Sequence, residues 1–155
     1  VFLRNAASPH AIVDSAKTLV NANTFTGLFS LGRAAAGSYY ISFKHRNSVE
    51  TWSNAPVSMT VGGTNNFDFT TSASQAFGSN QVIIDNSPIR YAIYSGDVNK
   101  DGAVDAADLS IIDNDAFNFE SGYVRADVTG DNTVDASDAS VTDNNAYNFV
   151  GRVTP

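Results

Sequence analysis

Asp97, Asn99, Asp101, Asp105 and Asp108 recur thirty residues downstream as Asp127, Thr129, Asp131, Asp135 and Asp138. Within a twelve-residue loop these are positions 1, 3, 5, 9 and 12, and the main-chain carbonyl of position 7, Ala103 or Thr133, completes an all-oxygen set. A hard cation such as Ca²⁺ takes six to eight oxygens in this way. Each loop therefore reads as a site for one calcium ion, two in all. Position 6 needs a sharp turn, where positive φ is cheap for glycine and tolerable for asparagine; it is Gly102 in one copy and Asn132 in the other. Position 8 is Val104 or Val134, which implies a short apolar pairing of the two loops. Position 12 is Asp in both, a shorter carboxylate than the Glu of the common EF-hand. Thr129 offers a hydroxyl where Asn99 offers an amide oxygen, so the second site is expected to bind more weakly.

Acidic, glycine-containing stretches are commonly just solvated turns. Here the ligand spacing and the valine repeat in register, which random acidic loops do not do. The repeat also runs on past the loops: Asp113 to Phe119 is echoed by Asp143 to Phe149. Each unit is a loop followed by a helix. Leu109, Ile112, Ala116 and Phe119 in the first, and Ala139, Thr142, Ala146 and Phe149 in the second, fall at helical spacing and are expected to form the unit's core.

The Gly96-Asp97-Val98-Asn99 opening, the Asp101-Gly102 turn, the loop-then-helix duplication and Asp at position 12 resemble a type I dockerin over residues 95–155. The resemblance implies that the residues matching Asp97, Asn99, Asp101, Asp105 and Asp108, with Asp127, Thr129, Asp131, Asp135 and Asp138, hold calcium. It also implies a cohesin partner docked on the helix faces through Ser/Thr and Lys/Arg contacts. This chain has Asp113, Asn114 and Asp115 where basic residues are common in that family.

Charge divides the chain in two. Residues 1–96 carry four acids and six bases, a formal +2, whereas 97–155 carry twelve acids and three bases, a formal −9, which together make the net charge of −7. That acidity argues against nucleic acid, whose phosphates demand a basic surface. No cysteine is present, so neither a disulfide framework nor a thiol site is available. No apolar run is long enough to span a bilayer. Calcium sites of this type fill at millimolar extracellular concentrations, which points to an extracellular or cell-surface setting.

Residues 1–94 read as a separate domain, with alternation of period two in place of helical spacing. Tyr39, Ile41 and Phe43 point one way and Tyr40, Ser42 and Lys44 the other. Similar short runs occur at 1–3, 11–13, 25–29, 57–61, 67–69, 81–85 and 90–94, separated by turn signals such as Gly62-Gly63 and Ser87-Pro88. The fold class implied is mainly β: an antiparallel, immunoglobulin-like β-sandwich over 1–94, followed by a small α-helical calcium module over 95–155. The stretch from Tyr39 to Trp52 resembles one in secreted multidomain proteins of Bacteroidetes-type bacteria, where a sandwich precedes a dockerin-like tail.

Catalytic constellations are poorly served. His10 and His45 sit in no metal-binding spacing, the sandwich holds only Asp14, Glu50, Asp68 and Asp85 as acids, and Gly62-Gly63 lacks a phosphate-loop motif. The expected role is a non-catalytic, calcium-stabilised structural or adhesion module, assembling into an extracellular filament with itself through the N-terminal strand or a sheet edge. Two alternatives stand beside it: a dockerin binding a cohesin-like partner, and a carbohydrate-binding module of a secreted enzyme, with Tyr40, Trp52 or Tyr94 stacking on a surface glycan.

Overall fold

β-Branched and aromatic residues in period-two alternation make the N-terminal half a sheet, and the capped loop-helix repeats make the C-terminal half helical. A computed structural model describes residues 1–155. Strands β1 (Phe2–Asn5), β2 (Ile12–Ser15), β3 (Gly37–Phe43), β4 (Thr51–Trp52) and β5 (Val57–Met59) form one antiparallel sheet of order β2-β1-β3-β4, with β5 also on β3. A separate hairpin pairs β6 (Val82–Asn86) with β7 (Ile89–Ala92). Helices α1 (Ala106–Phe117) and α2 (Ala136–Tyr147) follow.

A five-stranded sheet and a lone hairpin thus stand where a sandwich of about eight strands was expected. The runs at 25–29 and 67–69 are aromatic without being strands; Phe29 and Phe69 instead pack their rings on Phe43 at 6.4 and 6.5 Å. The alternation in β3 is real, because its two faces have different neighbours. Ile41 is buried and Phe43 meets that ring cluster, while Tyr40 packs against Trp52 at 5.9 Å. Trp52 is itself only 5% exposed, so its face is closed to a sugar. The first strand is interior: Leu3 pairs with Asp14 of β2 on one side and Ile41 of β3 on the other. Its backbone hydrogen bonds are therefore already taken, and it has no free edge to offer a neighbouring molecule.

Ser42, Lys44 and the buried Glu50 make the sheet's polar centre. Glu50 pairs with Arg4 at 3.3 Å, Lys44 at 3.0 Å and Arg152 at 3.2 Å, and accepts from Trp52 Nε1 at 3.0 Å and from Ser42 Oγ. Burial alone pushes its carboxyl up, but the hydrogen bonds from Ser42 and Lys44 and the charges of Lys44 and Arg4 outweigh burial and leave it below its ordinary value.

In the C-terminal half each repeat closes on the other. Val104 N donates to Val150 O at 2.9 Å and Val134 N to Glu120 O at 3.1 Å, with bridges Ala103 to Gly151 and Ser121 to Thr133. Each loop therefore pairs with the segment after the other repeat's helix, and the expected pairing of Val104 with Val134 does not occur. Val134 belongs to the module's own core with Val98, Ile112 and Ala126, whereas Val104 joins Val49 and Val150 at the junction with the sheet. The helical stripes need a second correction. Ile112 and Thr142 are buried, but Phe119 and Phe149 are 89% and 94% exposed, because α1 and α2 end two residues before them and the helical spacing no longer holds.

Glu50 yields the first prediction. Glu50→Gln leaves three cations without a counter-charge and should lower stability by about 2 kcal/mol, the partners' partial exposure moderating the loss. Because the folded-state pKa is depressed, this contribution is complete above the ordinary carboxylate value and disappears as pH falls through the folded one. Denaturant titration of both proteins from neutral to acid pH should show their midpoints converging; parallel curves would contradict the assignment.

Candidate metal centre

Asp at position 9 starts each helix. Asp105 and Asp135 are N-caps, accepting from Ala107 N and Ser137 N at 2.7 Å each. Position 12 then acts in a way the ligand pattern alone does not show. Asp108 Oδ2 accepts from Asp105 N at 3.0 Å, closing a capping box, while its Oδ1 accepts from Val98 N at 2.9 Å and Asn99 N at 3.0 Å. Asp138 repeats this with Asp135 N at 3.0 Å, Val128 N at 2.7 Å and Thr129 N at 2.8 Å. Both carboxylates are 0% exposed. Each one staples the start of its loop to the first turn of its helix, a reach that suits the short Asp side chain.

Side-chain turns shape the rest of the loop. Asn99 Oδ1 accepts from Asp101 N at 2.8 Å, Asp101 Oδ1 from Ala103 N at 2.9 Å, and Asp131 Oδ1 from Thr133 N at 2.9 Å. Position 6 has the expected positive φ, 98° at Gly102 and 71° at Asn132. Position 4 has it too, at Lys100 (71°) and Gly130 (83°), for which the glycine of the second copy was the only signal.

The loops do not draw three acidic side chains onto one point at metal-binding distance. Asp97 and Asp127 are buried at 2% and 1% exposure; Asp101, Asp105, Asp131, Asp135, Thr129, Ala103 and Thr133 face solvent, and Asn99 is half-buried. A cation fits the first loop on one specific observation: Asp97 Oδ1 is buried with no hydrogen-bond partner. Burial, aided by the charge of Asp108, pushes the Asp97 carboxyl up against the opposing pull of Lys100 and backbone amides. A bound cation would satisfy that oxygen.

The second loop differs. Asp127 Oδ1 accepts from Gly130 N at 2.7 Å, and its Oδ2 is held by Arg46 at 3.0 Å. Arg46 Nη2 and Asn47 Nδ2 also reach Asp127 O, at 2.8 and 2.7 Å. Neither contact was visible in the sequence, since Arg46 lies 81 residues away. The same strap, His45 to Val49, touches the first loop: Lys100 Nζ donates to His45 O, and to Ser48 O at 3.2 Å, and Gly96 N donates to Asn47 O at 2.7 Å. Desolvation of its ammonium tip under the strap lowers Lys100 to about 8, with the charge of Asp97 opposing.

Against known families, residues 95–145 match the model of the dockerin type I domain. No curated protein and no solved structure matches the chain.

The staple predicts that Asp108 matters without metal. Asp108→Ala should cost about 3 kcal/mol even in excess chelator, since it strips three backbone amides, one buried and two part-buried, of a charged acceptor, whereas Asp113→Ala on the exposed face of α1 should stay within about 0.5 kcal/mol. Thermal melts in chelator decide; equal losses would contradict the staple.

Proposed function

We propose that this chain is a non-catalytic assembly module whose calcium-held C-terminal half docks onto a cohesin-like protein partner outside the cell or at its surface. The similarity of residues 95–145 to the dockerin type I domain supports the partner class and the cation, since dockerins of this type bind calcium and act as interaction modules. The liganding residues are those of positions 1, 3, 5, 7, 9 and 12 in each loop, one ion per loop. Calcium supplies the positive charge that the crowded carboxylates otherwise lack.

The observation that carries the docking reading is a pair of matching exposed faces. Ser110, Asp113, Asn114, Phe117 and Phe119 recur as Ser140, Asp143, Asn144, Tyr147 and Phe149, all of them exposed. Core and ligand positions must repeat for the fold to repeat, but exposed ones need not. Phe117, Phe119, Tyr147 and Phe149 are at least 83% exposed, a set of rings that a free surface does not require. Phe119 and Phe149 also hold φ of 55° and 52° just past the helix ends, a left-handed position that glycine fills at lower cost. Keeping a strained phenylalanine there twice points to a use for the ring. Neither helix carries a basic residue, so a complementary partner surface is apolar at its centre with Lys or Arg around it.

The filament reading has less support. The N-terminal strand is interior, so self-assembly by strand donation would have to use another edge. The glycan reading loses the buried Trp52 as a stacking platform.

Surface-immobilised chain should bind a purified cohesin-type domain in millimolar calcium and release it in chelator. The double variant Phe119→Ser, Phe149→Ser should weaken that binding more than tenfold, as expected for aromatic anchors, while calcium affinity is unchanged. Calcium-loaded chain that binds no cohesin-type domain, or a variant that binds as well as the parent, would overturn the docking surface.

A further inference from the structure

The two loops share one ligand pattern but not one electrostatic setting. The position 1 carboxylate of loop 1 has an unpartnered buried oxygen, whereas its counterpart in loop 2 is already paired with a cation from the N-terminal sheet. Arg46 is only 17% exposed, its guanidinium lies 3.9 Å from the centre of the Tyr123 ring, and it grips both the side chain and the carbonyl of Asp127. It stands beside a cleft of about 360 Å³ bordered by Phe43, Lys44, Gly130 and Asn132, through which solvent reaches loop 2. The strap that carries Arg46 is also what holds the sheet to the module. Val49 is fully buried against Val104 and Val150, and Val49 N donates to Tyr94 O at 2.9 Å.

We propose that Arg46 is an electrostatic latch: it pairs with Asp127 when loop 2 is empty, holds the sheet against the module, and makes loop 2 the second loop to load calcium. This rests on the calcium reading given above. A cation in loop 2 takes oxygens of a carboxylate that Arg46 partly neutralises, and it does so next to a fixed like charge, so it binds more weakly than in loop 1. Linkage makes the effect reciprocal: if Arg46 weakens calcium in loop 2, calcium in loop 2 weakens the grip of Arg46 on Asp127. In loop 1 no side-chain cation is bonded to the position 1 carboxylate: Lys100, whose charge also acts on Asp97, turns its ammonium group to the carbonyls of His45 and Ser48 instead. Loading of the first site therefore leaves the strap closed, and loading of the second slackens it.

The test is a calcium titration of the whole chain followed by amide NMR, with Gly102 reporting loop 1 and Gly130 loop 2. Gly102 should respond first. Arg46→Gln should tighten the Gly130 step about tenfold and leave the Gly102 step unchanged. A merely structural role for Arg46 would move the Gly130 step the other way, because a disordered loop binds less tightly. Hydrogen exchange on the unaltered chain gives an independent readout: the amides of Val49 and Gly96, which bond Tyr94 O and the strap's Asn47 O, should keep their protection through the first step and lose it through the second. A Gly130 step that is unchanged or weaker in Arg46→Gln, or strap protection that rises through the second step, overturns the latch alone. A chain that binds no calcium at all overturns the latch together with the calcium reading.

Discussion

A buried aspartate that accepts three backbone amides is the constraint from which the C-terminal half follows. Asp108 and Asp138 each tie the second and third residues of a loop to the N-cap of the helix behind it. Loop and helix then behave as one rigid piece, and the remaining oxygens of the loop are presented at fixed places. A buried anion satisfied only by amides is also a net negative centre. Each of the two centres lies beside a further buried carboxylate at position 1, Asp97 or Asp127. The apolar core is small: Val98, Ile112, Ala126 and Val134, with Val104 and Val150 buried at the junction with the sheet.

Duplication supplies the second level of order. Each repeat leaves a short backbone edge after its helix, and the other repeat's loop fills it, so neither unit is complete alone. The N-terminal sheet is attached at the same place, through a strap that reaches both loops and through Glu50, which draws Arg152 of the C-terminal tail into the sheet's ion cluster. Both loops are thus hydrogen-bonded to the strap that leads into the sheet.

Much of this was legible in the sequence, and the reason is locality. The loop-then-helix repeat and the positive φ at Gly102 and Asn132 depend on spacing within a dozen residues, and the period-two runs at 1–3, 11–13 and 39–43 become strands. Misreadings arose where long-range contacts decide. The runs at 25–29 and 67–69 have strand composition, but their Phe29 and Phe69 serve as loop-borne rings on Phe43. The valines at position 8 were assigned to each other because their spacing matched, yet the crossed closure of the repeats sends them to different clusters. Arg46 was invisible as a neighbour of Asp127, since nothing local marks a contact 81 residues distant. Phe119 looked like core by periodicity, and only the place where α1 ends shows it to be surface.

The central claim is that the two loops, though differently partnered, are both calcium sites. Native mass spectrometry of the whole chain in millimolar calcium tests it most directly, because it counts ions. Two filled loops give a species carrying two calcium ions that becomes a one-ion species in Asp131→Ala. A chain that remains metal-free, or that holds a single ion unaffected by that substitution, would contradict it.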